Sequence, residues 1–152
     1  MQDKQLIFSD AQDIGLTQQS VLSTYSVDLG AVGTVPGLGG QPLADLMRGN
    51  RPRIVAQIVE AVVGTVSTIT VEVVCAENAA LTTNLRVLDT SLAIAEATLV
   101  AGYQFHIDIT TKMTAAERYL GLRYTIGTAT TTAGTITAWL ELNPSDAYPL
   151  GG

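Results

Sequence analysis

The chain has 152 residues, a formal net charge of −6, one histidine and one cysteine. That length fits a single domain that buries a sizeable core without a metal staple, and a lone Cys75 excludes an intrachain disulfide. The acidic balance argues against direct nucleic-acid contact, which needs a basic face, and no basic segment followed by an apolar run reads as a signal peptide.

Charged residues make up 14% of the chain, against about 25% in ordinary domains. Thr, Ala, Gly and Val fill the deficit, and the β-branched excess favours strands. A surface so lightly charged is one that partners cover in part. From the N-terminus, Leu6, Ile7 and Phe8 form a short apolar patch ahead of polar residues, read as a short strand or an extended arm within 1–13. Residues 21–29 alternate, with Val21, Tyr25, Val27 and Leu29 on one face. Residues 30–52 carry six glycines and three prolines, a long irregular loop of the kind that is often functional. Within it, residues 42–48 suit a short helix, with Pro42 in the first turn and Gly49 after the end.

Residues 53–76 are oily enough to raise a membrane span, but Glu60 and Glu72 would be costly in hydrocarbon. Gly64, Thr65 and Ser67 instead break the run into two buried strands. A polar loop follows at 77–84 and a strand at 85–91. The alanines of 92–100 favour helix, while the flanking strands favour extended structure, which is the reading taken. Residues 104–110 form a strand with Phe105, Ile107 and Ile109 on one face and Gln104, His106 and Asp108 on the other. Thr114 to Glu117 matches a capping box with room for at most one turn. Residues 117–142 contain two alternating runs around GTATTTAG and read as a β-hairpin with one oily face and one mixed face, the latter Tyr119, Arg123, Thr137, Trp139 and Glu141. Residues 143–152 are a polar tail. The sum is an all-β, single-domain, jelly-roll-like β-sandwich of about eight strands with a long irregular loop.

Catalytic signatures are missing from this pattern. A metal centre or a nucleophile–His arrangement would have to use His106, which lies mid-strand on a polar face. Cys75 follows the oily phase of its strand and reads as a buried small hydrophobe. Paired carboxylates (Asp10 with Asp13, Glu141 with Asp108) lack the aromatic frame a sugar site uses, and GLGG at 37–40 lacks the residues that follow in a phosphate loop. The expectation is therefore no enzyme, no cofactor and no metal. Arg48, Arg51 and Arg53 form a basic cluster suited to interface ion pairs, and Trp139 on the mixed face suits an interface anchor.

Several segments resemble, in order, the jelly-roll capsid cement proteins of tailed phages: LIFSDAQ (6–12), VDLG (27–30), LVAGYQF (99–105), ERYLGLRYTIGT (117–128) and TTAGTITAWL (131–140). GLGGQPL resembles a Gly-x-Pro-Leu element of that family. The resemblance implies a decoration protein on the outer capsid surface of a virion, made in the host cytoplasm. It implies a homotrimer that clamps neighbouring copies of the phage major capsid protein, with no direct nucleic acid and no membrane. Candidate subunit or capsid contacts are Leu6, Phe8, Asp10, Leu38, Arg48, Arg51, Arg53, Tyr119, Arg123 and Trp139. A receptor- or carbohydrate-binding jelly-roll module of a virion is the alternative, and an enzyme the third.

Overall fold

The computed structural model describes residues 6–15, 20–29, 52–111, 113–114 and 116–141. Among them ten strand segments form: β1 (Ile7–Asp13), β2 (Ser20–Leu22), β3 (Val27–Asp28), β4 (Arg53–Gly64), β5 (Thr68–Ala76), β6 (Arg86–Thr90), β7 (Ile94–Ala95), β8 (Gln104–Asp108), β9 (Tyr119–Gly127) and β10 (Thr131–Glu141). One sheet runs β1-β10-β4-β8. The other runs β2-β9-β5-β6, with β3 also on β9 and β7 also on β5, and all pairs are antiparallel. β2 with β3 and β6 with β7 are each one broken strand, so the segments reduce to eight strands in two layers. The chain changes sheet at nearly every connection, which is the jelly-roll arrangement the sequence predicts.

The core lies between the layers. Ile54, Ala56 and Ile58 of β4 and Ile136, Ala138 and Leu140 of β10 face Ile69, Val71 and Val73 of β5 and Leu120, Leu122, Tyr124 and Ile126 of β9. Burying each such side chain contributes roughly 1.5–3 kcal/mol. The oily run 53–76 is two strands parted at Gly64, as expected, and no helix among the described residues is long and apolar enough to cross a membrane. Cys75 is buried, as expected.

The hairpin reading of 117–142 is wrong in its pairing. β9 and β10 exist where the alternation puts them, but they lie in different sheets: β9 pairs with β5 and β10 with β4. Residues 128–130 carry the chain across the core rather than around a hairpin end. The β4–β5 turn makes the same crossing beside it, because Gly64 pairs with Thr131 and Thr68 with Gly127. Glu96 clamps that turn, accepting from the Val66 and Ser67 amides at 3.0 and 3.2 Å and from the Ser67 hydroxyl at 2.5 Å. A Cβ at residue 64 would strike the Ser67 hydroxyl and come within 2.6 Å of Glu96, so glycine is required where the two crossings close up.

Three further expectations need correcting. Of the two readings of the patch at 6–8, the short strand holds and the extended arm does not: residues 7–13 are a strand of the first sheet, and Phe8 is fully buried in the core. Residues 21–29 are not one strand. Leu22 pairs with Arg123 and Val27 with Leu120, so residues between them bulge out and leave Tyr25 54% exposed. Residues 92–100 hold only the two-residue β7 and a 3-10 turn at Glu96–Thr98. The expected helix at 42–48, most of the loop 30–52 and the tail 143–152 lie outside the described residues.

Candidate interaction surfaces

The outer face of the β1-β10-β4-β8 sheet is organised in rows by its register. Trp139 pairs with Ile7 on one side and Val55 on the other, and Val55 pairs with His106, so one row crosses all four strands. The next row is charged: Glu141, Arg53 and Asp108, with Arg53 Nε 3.2 Å from Asp108 Oδ1. On the other side of the Trp139 row stand Thr137, Gln57 and Gln104. Trp139 is half-buried and Val55 almost fully so. A depression of about 310 Å³ on this face is lined by Arg53, Val55, Gln104, Phe105, His106 and Glu141. Its lining is mainly polar and charged, and the half-buried indole of Trp139 stands in the same row as Val55 and His106; a large aromatic among such groups is a residue type enriched at interfaces.

The outer face of the other sheet is largely engaged within the chain. Arg123 Nε bonds Glu72 at 2.5 Å, and the Thr125 hydroxyl donates to the same carboxylate at 3.1 Å. The Arg123 guanidinium holds the Glu72 carboxyl below its ordinary range, against an opposing effect of burial. Arg118 forms a two-pronged pair with Asp28 at 2.6 and 2.7 Å and stacks over the Tyr119 ring at 5.2 Å. The loop after β5 folds back over this face. Val74, Ala76 and Leu81 make a second small core with Leu22, Leu85 and Tyr119 packed against it. This explains why Val73 to Ala76 are all buried and break the strand's alternation. Asn78 holds the loop, accepting from the Thr82 and Thr83 amides at 2.9 Å each.

Below that loop sits the most strongly perturbed ion pair. Glu117 is buried and takes both prongs of Arg86, at 2.6 and 2.7 Å, and the Thr114 amide at 2.7 Å. The last bond is half of the expected capping box, formed on a single turn. Arg86 foremost, with the Thr114 amide, pulls the Glu117 carboxyl down to about 2 against burial. Burial, with the Glu117 charge, pushes the neighbouring Cys75 thiol up to about 12, so it stays protonated and unreactive.

The structure therefore divides the sequence-predicted contact residues. Arg53 and Trp139 come together in adjacent rows of one outer face. Tyr119 and Arg123 lie on the outer face of the other sheet, so the mixed face expected from 117–142 is two surfaces on opposite sides of the sandwich. Phe8 belongs to the core, Leu6 packs against its edge, and Asp10 is exposed on β1. Leu38, Arg48 and Arg51 lie outside the described residues. Ile7, Val55 and His106 join Trp139 through strand register, which no feature of the sequence discloses.

No curated protein matches the chain. The family model Bbp16 matches residues 8–140, from Phe8 in β1 to Leu140 in β10. That span runs through all ten described strand segments, and the chain belongs to the Bbp16 family.

Proposed function

We propose that this protein is a structural decoration protein that binds the outer surface of a phage capsid as a homotrimer and clamps neighbouring major capsid proteins. The observation that carries the reading is where the cement-like segments fall. LIFSDAQ runs into β1, VDLG opens with the two residues of β3, LVAGYQF leads into β8, ERYLGLRYTIGT spans β9 and TTAGTITAWL lies within β10, so the resemblance follows the strands of the jelly roll in order. The role is mechanical and uses no catalysis, cofactor or metal. Three equivalent copies that engage three equivalent shell sites turn weak contacts into strong avidity. The half-buried Trp139, with Ile7 and Val55 beside it, gives each copy an anchor of the right kind.

Two measurements test this. Light scattering of the purified protein is expected to give a trimer mass, and capsids purified from infected cells are expected to carry the protein at a stoichiometry near that of the shell protein. A strict monomer that is absent from washed capsids would sink the proposal.

A further inference from the structure

Among the described residues four strands form the edges of this sandwich, and three of them are closed or broken. β1 carries two register shifts, and its Phe8 carbonyl accepts the Tyr25 amide at 2.9 Å. β2 and β3 are parted by a bulge, and β6 and β7 are parted as well, with a further shift opposite Val73/Val74. Such bulges and breaks are the usual means of blunting an edge. β8 is different: it pairs with β4 in unbroken register from Arg53↔Asp108 to Gln57↔Gln104.

Hydrogen bonds at the two ends of that ladder fix its phase. The Ile109 amide donates to the Pro52 carbonyl and the Ile58 amide to the Tyr103 carbonyl. In an antiparallel pair, bonded and non-bonded residue pairs alternate. Phe105 and Ile107 therefore turn their backbone groups to β4. Gln104, His106 and Asp108 turn theirs outward, where no described residue meets them. Beside this edge runs a cleft of about 410 Å³ between the two sheets, with Leu92, Ile94, Tyr103, Phe105 and Ile107 as its apolar lining. Asp89 closes one end, accepting from the Thr110 and Thr111 amides at 2.9 and 3.2 Å.

We infer that β8 is a strand-addition site for an extended cationic segment of another protein. The added strand bonds to the outward groups of Gln104, His106 and Asp108 and places alternate apolar side chains over the cleft. Charge selects the occupant: among the described residues the cleft is lined by Asp89 and by Asp108, which Arg53 pairs from the outer face, and by no Lys or Arg, so a segment alternating apolar residues with Lys or Arg complements it. A second copy of this chain would bring an identical acidic cleft against the first, setting carboxylates against carboxylates. The inference goes beyond the capsid reading and does not require it.

The probe is a short synthetic peptide alternating valine and lysine, titrated against the full chain and followed by amide shifts and hydrogen exchange. Saturable binding is expected, with new protection at the amides of Gln104, His106 and Asp108. The same peptide N-methylated on alternate residues, and a valine–glutamate version, are each expected to bind at least about tenfold more weakly, a loss equal to roughly one or two hydrogen bonds. His106→Pro removes an outward donor that β4 does not use, which an edge strand tolerates. It is expected to keep the melting temperature within a few degrees and to lower affinity about tenfold. The proposal is overturned by absence of saturable binding, by equal binding of the N-methylated or acidic peptide, or by unchanged affinity in a folded His106→Pro variant. Protection of the three amides in the free protein would also overturn it, as would a dimer through β8 that the peptide does not dissociate.

Discussion

Ser9 and Tyr124 are 115 residues apart in the chain, and their hydroxyl oxygens lie 2.7 Å apart, fully buried. Ser9 is on β1 and Tyr124 on β9, so the contact ties one sheet to the other through the core. Its direction follows from the neighbours. Ser9 donates to Gln12 Oε1 at 2.7 Å, so the Tyr124 hydroxyl donates to Ser9. Gln12 in turn accepts the Thr24 amide at 2.9 Å and donates to the Leu22 carbonyl at 2.8 Å, which pins the β2–β3 bulge. Burial drives the Tyr124 hydroxyl far above its ordinary pKa and keeps it a neutral donor.

Ser9→Ala leaves the Tyr124 hydroxyl without its acceptor and is expected to cost about 1–3 kcal/mol. Tyr124→Phe leaves Ser9 bonded to Gln12 and is expected to cost only about 1 kcal/mol. The double variant should cost less than the sum of the two, because each removes the same bond. Urea unfolding midpoints of the four proteins check this; strict additivity would place the two hydroxyls out of contact.

Stability should fall in acid, and Glu117 should account for much of the fall. Its carboxyl is depressed in the folded protein to about 2, chiefly by Arg86. A depressed acid stabilises the fold above its unfolded value, about 4.3, and that stabilisation is lost as pH drops toward about 2. The contribution at neutral pH is on the order of 2 kcal/mol once screening at the 39%-exposed Arg86 side chain is allowed for. Glu72 and Glu96, both lowered, act in the same direction. Glu117→Gln is expected to be less stable at pH 7 and to show a flatter stability profile between about pH 4.5 and 2. A profile parallel to the parent's would remove Glu117 from the account.

The N-terminal strand is structural, so truncation should break the fold rather than spare it. Deleting residues 1–12 removes Phe8, Ser9 and most of β1 and bares one edge of β10. Phe8→Ala alone is expected to cost about 3–5 kcal/mol. Circular dichroism and melting of both variants check this, and a truncated chain that melts like the parent would contradict the core position of Phe8.

The strand reading illustrates what alternation discloses. It reports which side chains enter a core, and it located β4, β5, β8, β9 and β10 well. It is silent on which sheet a strand joins. In a sandwich both inner faces are core, so Leu122 and Ala138 look like partners in one hairpin although they face each other from opposite layers. GTATTTAG reads as a hairpin loop for the same reason; its crossing depends on β9 and β10 finding β5 and β4, contacts distant in sequence. Trp139 and Arg53 were legible individually as interface types, but their neighbours Ile7, Val55 and His106 come only from register. The Glu117–Arg86 pair was visible only as half of a cap, because Arg86 reaches it from another strand.

The capsid role rests most directly on add-back to a bare shell. Purified protein is mixed with purified capsids that lack it, and binding is followed by co-sedimentation alongside shell survival on heating. Saturable binding at micromolar concentration or tighter, a raised shell disruption temperature, and a fall of at least about tenfold in affinity for a folded Trp139→Ala variant are predicted. A protein that stays in the supernatant at micromolar concentration and leaves shell disruption unchanged would contradict the account.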